Sequence, residues 1–418
     1  MVDIYQIPLT TKRGPSLAFY GDSITANGIG ASGNLTNNNA LGYSFWTNAM
    51  TGQRFYSPPA LNFGVSGDKL SDMLARLSTV TAARPDICVV LGGTNSLSAD
   101  ISYANCISQL GQIYDGLQAV GCTVIAVPIL GRSDAVLTAQ QRIRGIGINN
   151  WMKNQAATRR NFFVADCGLS FDDPTSASWG ALSGYTYTPG LHPSPNGAFT
   201  GIAAKIVSIL NIIAPDWRIL PANQSDTYDA TDNPKGNMLN NGPFVGGAST
   251  ATSTSLSTTA ALGVTAAASK GTNTDNRNIQ TLTLSGTTTG GSNGQIFLSQ
   301  GLSAGALAGL QAGDEIEAFV EVRWSGGFTN IAYPYFEMRT TESATVYQRQ
   351  TGVGQLANPY GISSTNGFLR WRTPSRVLTA TPSAGSIQLG IYLISPITNG
   401  QSVAGVIDFM SAEVRKIN

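Results

Sequence analysis

From residue 16 to about residue 215, short apolar runs alternate with longer stretches of helical period. Residues 17–20, 61–63, 87–91, 123–127 and 162–165 read as buried strands, and residues 69–77, 103–120, 138–157 and 196–213 as helices. Strands separated by helices imply an α/β unit with a doubly wound parallel sheet, whose ligands bind beyond the carboxyl ends of the strands. After residue 215 the pattern changes. Residues 221–236 are polar and turn-rich, and 248–276 are nearly all Ser, Thr, Ala, Gly and Asn. Strict alternation then appears in 315–324, 333–339, 368–373, 387–394 and 405–415, with Gly-rich turns and no convincing helix, which points to an all-β sandwich. The expected organisation is a first domain over 1–220, a linker over 221–236 and a β-sandwich over 237–418. The Ser/Thr/Ala stretch reads either as a flexible linker or as two early sandwich strands, with a lean to the strands.

Composition narrows the chemistry. Only 12% of the 418 residues are charged, and the formal net charge is +1. Without basic clusters the chain is a poor nucleic-acid binder, because that affinity rests on Lys and Arg neutralising phosphates. No apolar run reaches the ~18 residues of a membrane span, so membrane insertion is not expected. The first residues lack a charged n-region and an apolar h-region, so synthesis in the cytoplasm is expected. Cys88, Cys106, Cys122 and Cys167 show no C-x-x-C spacing and read as buried free thiols. One histidine, His192, is present, and the first glutamate is Glu315. Multi-His zinc sites and H-E-x-x-H peptidases are therefore excluded, as is a glycosidase built on paired Glu in the first three quarters.

Three successive strands finish in small, Gly-rich turns: Gly21-Asp22-Ser23, then Gly64-Val65-Ser66-Gly67-Asp68, then Gly92-Gly93-Thr94-Asn95. A serine just past a strand's carboxyl end is a candidate nucleophile. The backbone N–H groups of Ser23 and Gly67 and the side-chain N–H of Asn95 together make a three-donor oxyanion hole. His192, in Gly190-Leu191-His192-Pro193, is the only imidazole available as a general base.

These four segments, in this order, resemble the SGNH or GDSL-type hydrolases, a family of esterases and lipases with a flavodoxin-like sheet. The resemblance covers roughly residues 14–215. It implies Ser23 as nucleophile, Gly67 and Asn95 as oxyanion donors, His192 as base, and neither metal nor cofactor. One position departs from the pattern. The family usually carries Asp three residues before the histidine, where this chain has Pro189. The third member of the triad is then either the Pro189 backbone carbonyl, giving a Ser-His dyad, or one of Asp166, Asp172 and Asp173.

The stretch from Gly236 to Phe244 and the final strand resemble the ends of carbohydrate-binding jelly-roll modules. Trp324, Tyr333, Tyr335, Tyr347 and Trp371 are then either a sugar-stacking surface or sandwich core. A hydrolase fused to such a module resembles a phage tail fibre or tailspike. That implies an acetylated polysaccharide as substrate, a homotrimer as the assembly and the bacterial surface as the place of action. The polar loops 33–40 and 168–190 would shape specificity toward a glycan. The rivals are a lipase or thioesterase on the same fold, and a receptor-binding or structural tail protein whose hydrolase domain is inactive.

Overall fold

The first apolar run forms β1 (Leu17–Gly21), which is buried at every residue because it has a strand on each side and helices on both faces. The computed structural model describes residues 14–27, 41–52, 54–134, 136–187, 190–215, 223–259, 263–274, 276–289, 294–324, 333–352, 367–373, 375–393, 400 and 402–417. Loop 33–40 and Pro189 lie outside them. The described residues fall into two compact units, 14–215 and 223–417.

In the first unit β1 is joined by β2 (Asn62–Gly64), β3 (Ile87–Leu91), β4 (Thr123–Val127) and β5 (Phe162–Val164). Their order is β2-β1-β3-β4-β5, with every pair parallel. The order reverses at β1, so the crevice at the carboxyl ends of β1, β2 and β3 is the topological switch point where such sheets bind ligands. Gly21 pairs in register with both Gly64 and Leu91, so the three Gly-rich turns leave from one edge.

The helices in chain order are α1 (Ser23–Ala26), α2 (Tyr43–Met50), α3 (Leu70–Ala75), α4 (Leu77–Ala82), α5 (Thr94–Ser98), α6 (Tyr103–Ala119), α7 (Ala139–Thr158), α8 (Gly168–Phe171) and α9 (Ala204–Ile213). Ala18 and Tyr20 share one core with Leu70, Met73, Leu110, Ile113, Ile148 and Met152 from α3, α6 and α7. On the other face Phe19 meets Tyr43 edge-on, and Trp46 packs on Phe199. Caps set the long helices: Ser102 accepts from the Asn105 N–H, and Thr138 and Gln141 form a capping box.

Two expected helices differ. The one over 69–77 is interrupted at Arg76, whose side chain turns to the sheet edge, and resumes as α4. The last begins as a π-helix, Gly197–Ala203, before α9. All four cysteines are free and buried.

The second unit contains β6 (Thr254–Thr259), β7 (Val264–Thr272), β8 (Asn278–Thr287), β9 (Gly294–Gly301), a short helix α10 (Ala304–Gly309), β10 (Glu315–Trp324), β11 (Tyr333–Glu342), β12 (Thr345–Gly352), β13 (Gly367–Arg372), β14 (Arg376–Val377), β15 (Pro382–Leu393) and β16 (Ser402–Lys416). One antiparallel sheet runs β13-β10-β16-β8-β7, with β14 beside β10, and the other β12-β11-β15-β9-β6. Alternate residues Ile316, Ala318, Val320 and Val322 on β10 are fully buried, as are Ile387 on β15 and Ile296 and Leu298 on β9, the period-two signature of a sandwich core. The Ser/Thr/Ala stretch supplies β6 and β7, one edge strand to each sheet.

The Asn-rich opening of this unit is structural. Asn237 accepts from the N–H groups of Leu239 and Val414 and donates to the Ala412 carbonyl, which fastens β16. Tyr335 and Trp371 are fully buried. At these two positions the sandwich-core alternative holds, because rings enclosed in the sandwich have no face left for a ligand. Tyr347 is half-buried beneath the Arg376 guanidinium, 3.7 Å from its ring centroid. The side chains of Trp324 and Tyr333 lie outside the described set.

Candidate active site

Ser23 is the first residue of α1, one residue beyond the end of β1. Asp22 caps the helix by accepting the Ile24 N–H at 3.0 Å. It is fully buried, and that burial pushes its carboxyl up to about 7. The backbone of α1 lies against the end of β2: a Cβ at Gly64 would stand 2.2 Å from the Ala26 nitrogen. Asn62 reinforces the contact by donating to the Thr25 carbonyl at 3.0 Å. Glycine at 64 is therefore required for Ser23 to sit where it does.

His192 Nε2 lies 2.9 Å from Ser23 Oγ, although the two residues are 169 positions apart. The histidine is carried on a tight return of the chain. Tyr187 N–H donates to the His192 carbonyl, and Ser194 N–H to the Tyr185 carbonyl. The Tyr187 ring stacks on the imidazole, with centroids 5.6 Å apart and planes 16° from parallel. Burial, and then the Arg132 charge, hold the imidazole below its ordinary pKa; the Asp134 carboxylate opposes them. A neutral imidazole accepting from the serine hydroxyl through Nε2 carries its proton on Nδ1.

The three aspartates weighed as partners of that Nδ1 are engaged elsewhere. Asp166 pairs with Lys153 at 2.7 Å. Asp172 accepts the Gly131 N–H at 2.8 Å and the Trp179 indole N–H at 2.7 Å. Asp173 accepts from the Thr175 N–H and hydroxyl at 2.8 and 2.7 Å. Their loop is drawn to Trp179 and Gly131, so none of the three bonds to His192 among the described residues. The charges that do act on it are Arg132 and Asp134, a buried bidentate pair at 3.1 and 2.6 Å. Arg132 also donates to Ser98 Oγ at 2.6 Å, and Ser133 N–H donates to the Gly190 carbonyl at 2.9 Å, which joins this loop to the histidine turn. Sequence reasoning passed over the pair. Its one signal was an Arg-Ser-Asp triplet following the fourth strand, on the same edge as the other turns.

Gly67 has φ +86°, a region that L side chains rarely enter, and is exposed. Among the described residues neither its N–H nor that of Ser23 has a protein acceptor. Asn95, in the first turn of α5, uses Nδ2 to donate to the Asp68 carbonyl at 2.9 Å. That amide nitrogen carries two N–H groups, so one remains. The Ser23–His192 pair, two N–H groups without a protein acceptor and Asn95 Nδ2 thus lie at the carboxyl ends of neighbouring strands, an arrangement that can serve acyl transfer through a tetrahedral oxyanion. Among the described residues no His/Cys/Asp/Glu cluster suited to a metal is present, and no helix is long and apolar enough to cross a membrane.

Residues 19–198 match the GDSL-like lipase/acylhydrolase family. The GDSL-like segment holds Ser23, Gly67, Asn95 and His192, and the match supports a hydrolase of carboxylic esters. Three solved structures similar to it are a lipase/acylhydrolase from Enterococcus faecalis, a member of the lipolytic G-D-S-L family from Veillonella parvula DSM 2008, and a GDSL-like lipase from Bacteroides thetaiotaomicron VPI-5482. The first is 19% identical, with 49% of this chain and 100% of that chain covered and a TM-score of 0.38. The second is 14% identical, with coverage of 48% and 97% and a TM-score of 0.36. The third is 15% identical, with coverage of 48% and 89% and a TM-score of 0.36. The comparison with curated proteins returned no match.

Proposed function

We propose that the chain is a serine esterase that removes O-acetyl groups from a polysaccharide. The observation that carries this reading is the 2.9 Å contact between Ser23 Oγ and His192 Nε2 at the switch point of the sheet. His192 takes the Ser23 proton as Oγ attacks the ester carbonyl, and the oxyanion is received by Ser23 N–H, Gly67 N–H and Asn95 Nδ2. The tetrahedral intermediate expels the sugar hydroxyl, protonated by His192. Water, deprotonated by the same imidazole, then releases acetate.

A narrow pocket lined by Ile24, Leu91, Gly92, Thr94, Ile129, Leu130, Arg132 and Leu191 includes the residues that follow Ser23 and precede His192, and has room for about one water-sized group. That supports a short acyl chain. The second unit, rich in Ser, Thr, Gly and Asn, is proposed to hold the glycan or to assemble the chain as a homotrimer in a phage tail that acts at the bacterial surface. Sedimentation at micromolar concentration tests the assembly: a trimeric mass supports it and a monomer overturns it.

The decisive assay is hydrolysis of p-nitrophenyl acetate, butyrate and octanoate by the full chain beside Ser23→Ala. Acetate turnover that disappears in the variant supports the proposal. Preference for octanoate would make the chain a lipase or thioesterase instead. Indistinguishable rates from the two proteins would turn the reading toward a binding or structural role.

A further inference from the structure

The three oxyanion donors come from three separate strand-end turns; the paired positions of those strands end at Gly21, Gly64 and Leu91, and one further backbone bond runs from the Val65 N–H to the Gly21 carbonyl at 3.1 Å. One guanidinium continues the connection beyond them. Arg76 donates from Nη2 to the Gly21 carbonyl at 2.8 Å, from Nη1 to the Phe63 carbonyl at 2.8 Å, and from Nε to Asp68 Oδ2 at 2.5 Å. Its first acceptor lies two residues before Ser23, its second belongs to β2, and its third directly follows Gly67. Asp68 passes the link onward, because its carbonyl accepts Asn95 Nδ2 at 2.9 Å. The guanidinium also lies over the Tyr20 ring, 4.8 Å from its centroid. Arg76 reaches this place by interrupting the helix between α3 and α4.

We infer that Arg76 is a positioning residue of the oxyanion hole, fixing the Ser23, Gly67 and Asn95 turns against one another through Asp68. Arginine suits the task because its planar fork satisfies three acceptors at set angles, whereas an ammonium is a single point. The geometry matters to rate more than to substrate binding. An oxyanion hole acts on the transition state, and a misplacement of about 1 Å can cost ~10²-fold.

The inference rests on the esterase reading, and the experiment separates the two. Arg76→Lys, Arg76→Met and Asp68→Asn are assayed with p-nitrophenyl acetate and with diethyl p-nitrophenyl phosphate, which phosphorylates the active serine through the same hole, alongside thermal melts. The expected result is a kcat loss of about 10- to 100-fold in Arg76→Lys with KM within about twofold. A matching slowing of serine phosphorylation should accompany it, with a folded melt. Combining Arg76→Met with Asp68→Asn should cost no more than the worse single change, because the two act as one unit. Should Arg76→Met fail to fold, Asp68→Asn and Arg76→Lys still carry the test. A lowered melting temperature with kcat retained in Arg76→Lys overturns the inference and leaves Arg76 merely structural. A wild-type chain inert to both reagents overturns the esterase reading and the inference with it.

Discussion

Replacing Asn95 with alanine removes one proposed oxyanion donor and one internal hydrogen bond, and the two losses are read by different instruments. Asn95 Nδ2 donates one N–H to the Asp68 carbonyl at 2.9 Å, which leaves the other for the proposed oxyanion contact. Losing a preorganised donor of this kind costs ~10²–10³ in kcat, about 2.7–4 kcal/mol of transition-state stabilisation. Losing the neutral hydrogen bond costs about 0.5–1.5 kcal/mol of stability. For a unit of this size that lowers the melting temperature by a few degrees, ~2–4 °C per kcal/mol. Steady-state hydrolysis of p-nitrophenyl acetate at a temperature well below the melt therefore isolates the catalytic part. The expected outcome is a kcat decrease of two to three decades with KM nearly unchanged. Asn95→Asp should be worse, because a carboxylate then faces the developing negative charge. A loss below about fivefold in Asn95→Ala, or an Asn95→Asp variant as active as Asn95→Ala, would refute the assignment of this side chain to the oxyanion.

Three further outcomes follow from the geometry. His192 must be neutral to act as base, and its pKa is held below the ordinary 6.5, so kcat/KM should fall with acid only below that value. In pH–rate profiles Arg132→Met should move this limb upward and Asp134→Asn should move it downward; movement in the same direction would show that the pair does not act on the imidazole through its charge. Asp22 is raised from 3.8 to about 7, so its folded form holds a proton that the unfolded chain releases, and its contribution to stability is lost as pH rises through that window. The melting-temperature advantage of Asp22→Asn over the wild type should accordingly grow from about pH 4 to pH 7, and a constant difference would sink the idea. Gly64→Ala, whose Cβ collides with the Ala26 backbone, should cost about 10² in kcat, whereas Gly67→Ala has open space, keeps its N–H and carries only ~1 kcal/mol of backbone strain. Equal losses at the two positions would contradict the close approach.

Much of this site could be read from the sequence because its members sit at the ends of apolar strands. Ser23, Gly67 and Asn95 each follow a buried run, and the rule that parallel sheets present ligands at their carboxyl ends groups them before any contact is known. Helix α2 escaped notice for the opposite reason. Seven of its eight residues, Tyr43 through Ala49, are buried, so no polar face marks a period. Arg76 and the Arg132–Asp134 pair were also missed. The acceptors of Arg76 lie up to 55 positions away, and the grip of Arg132 on Ser98 spans 34, distances at which sequence pattern carries no signal. The aspartate alternatives for His192 lie at or just past a strand end, but contacts with Trp179, Gly131 and Thr175 claim two of them and a surface lysine the third.

His192 is the one histidine in 418 residues. Every technique that responds to imidazole is consequently blind to the rest of the molecule. The ring carbon-bound protons give one pair of histidine NMR signals, and carbethoxylation of imidazole, read at its own absorbance band, saturates at a single group. The protonation state of the imidazole, the arrival of an acyl group on its neighbour and the closeness of Tyr187 above the ring can all be followed on that one pair of signals, in the unmodified chain.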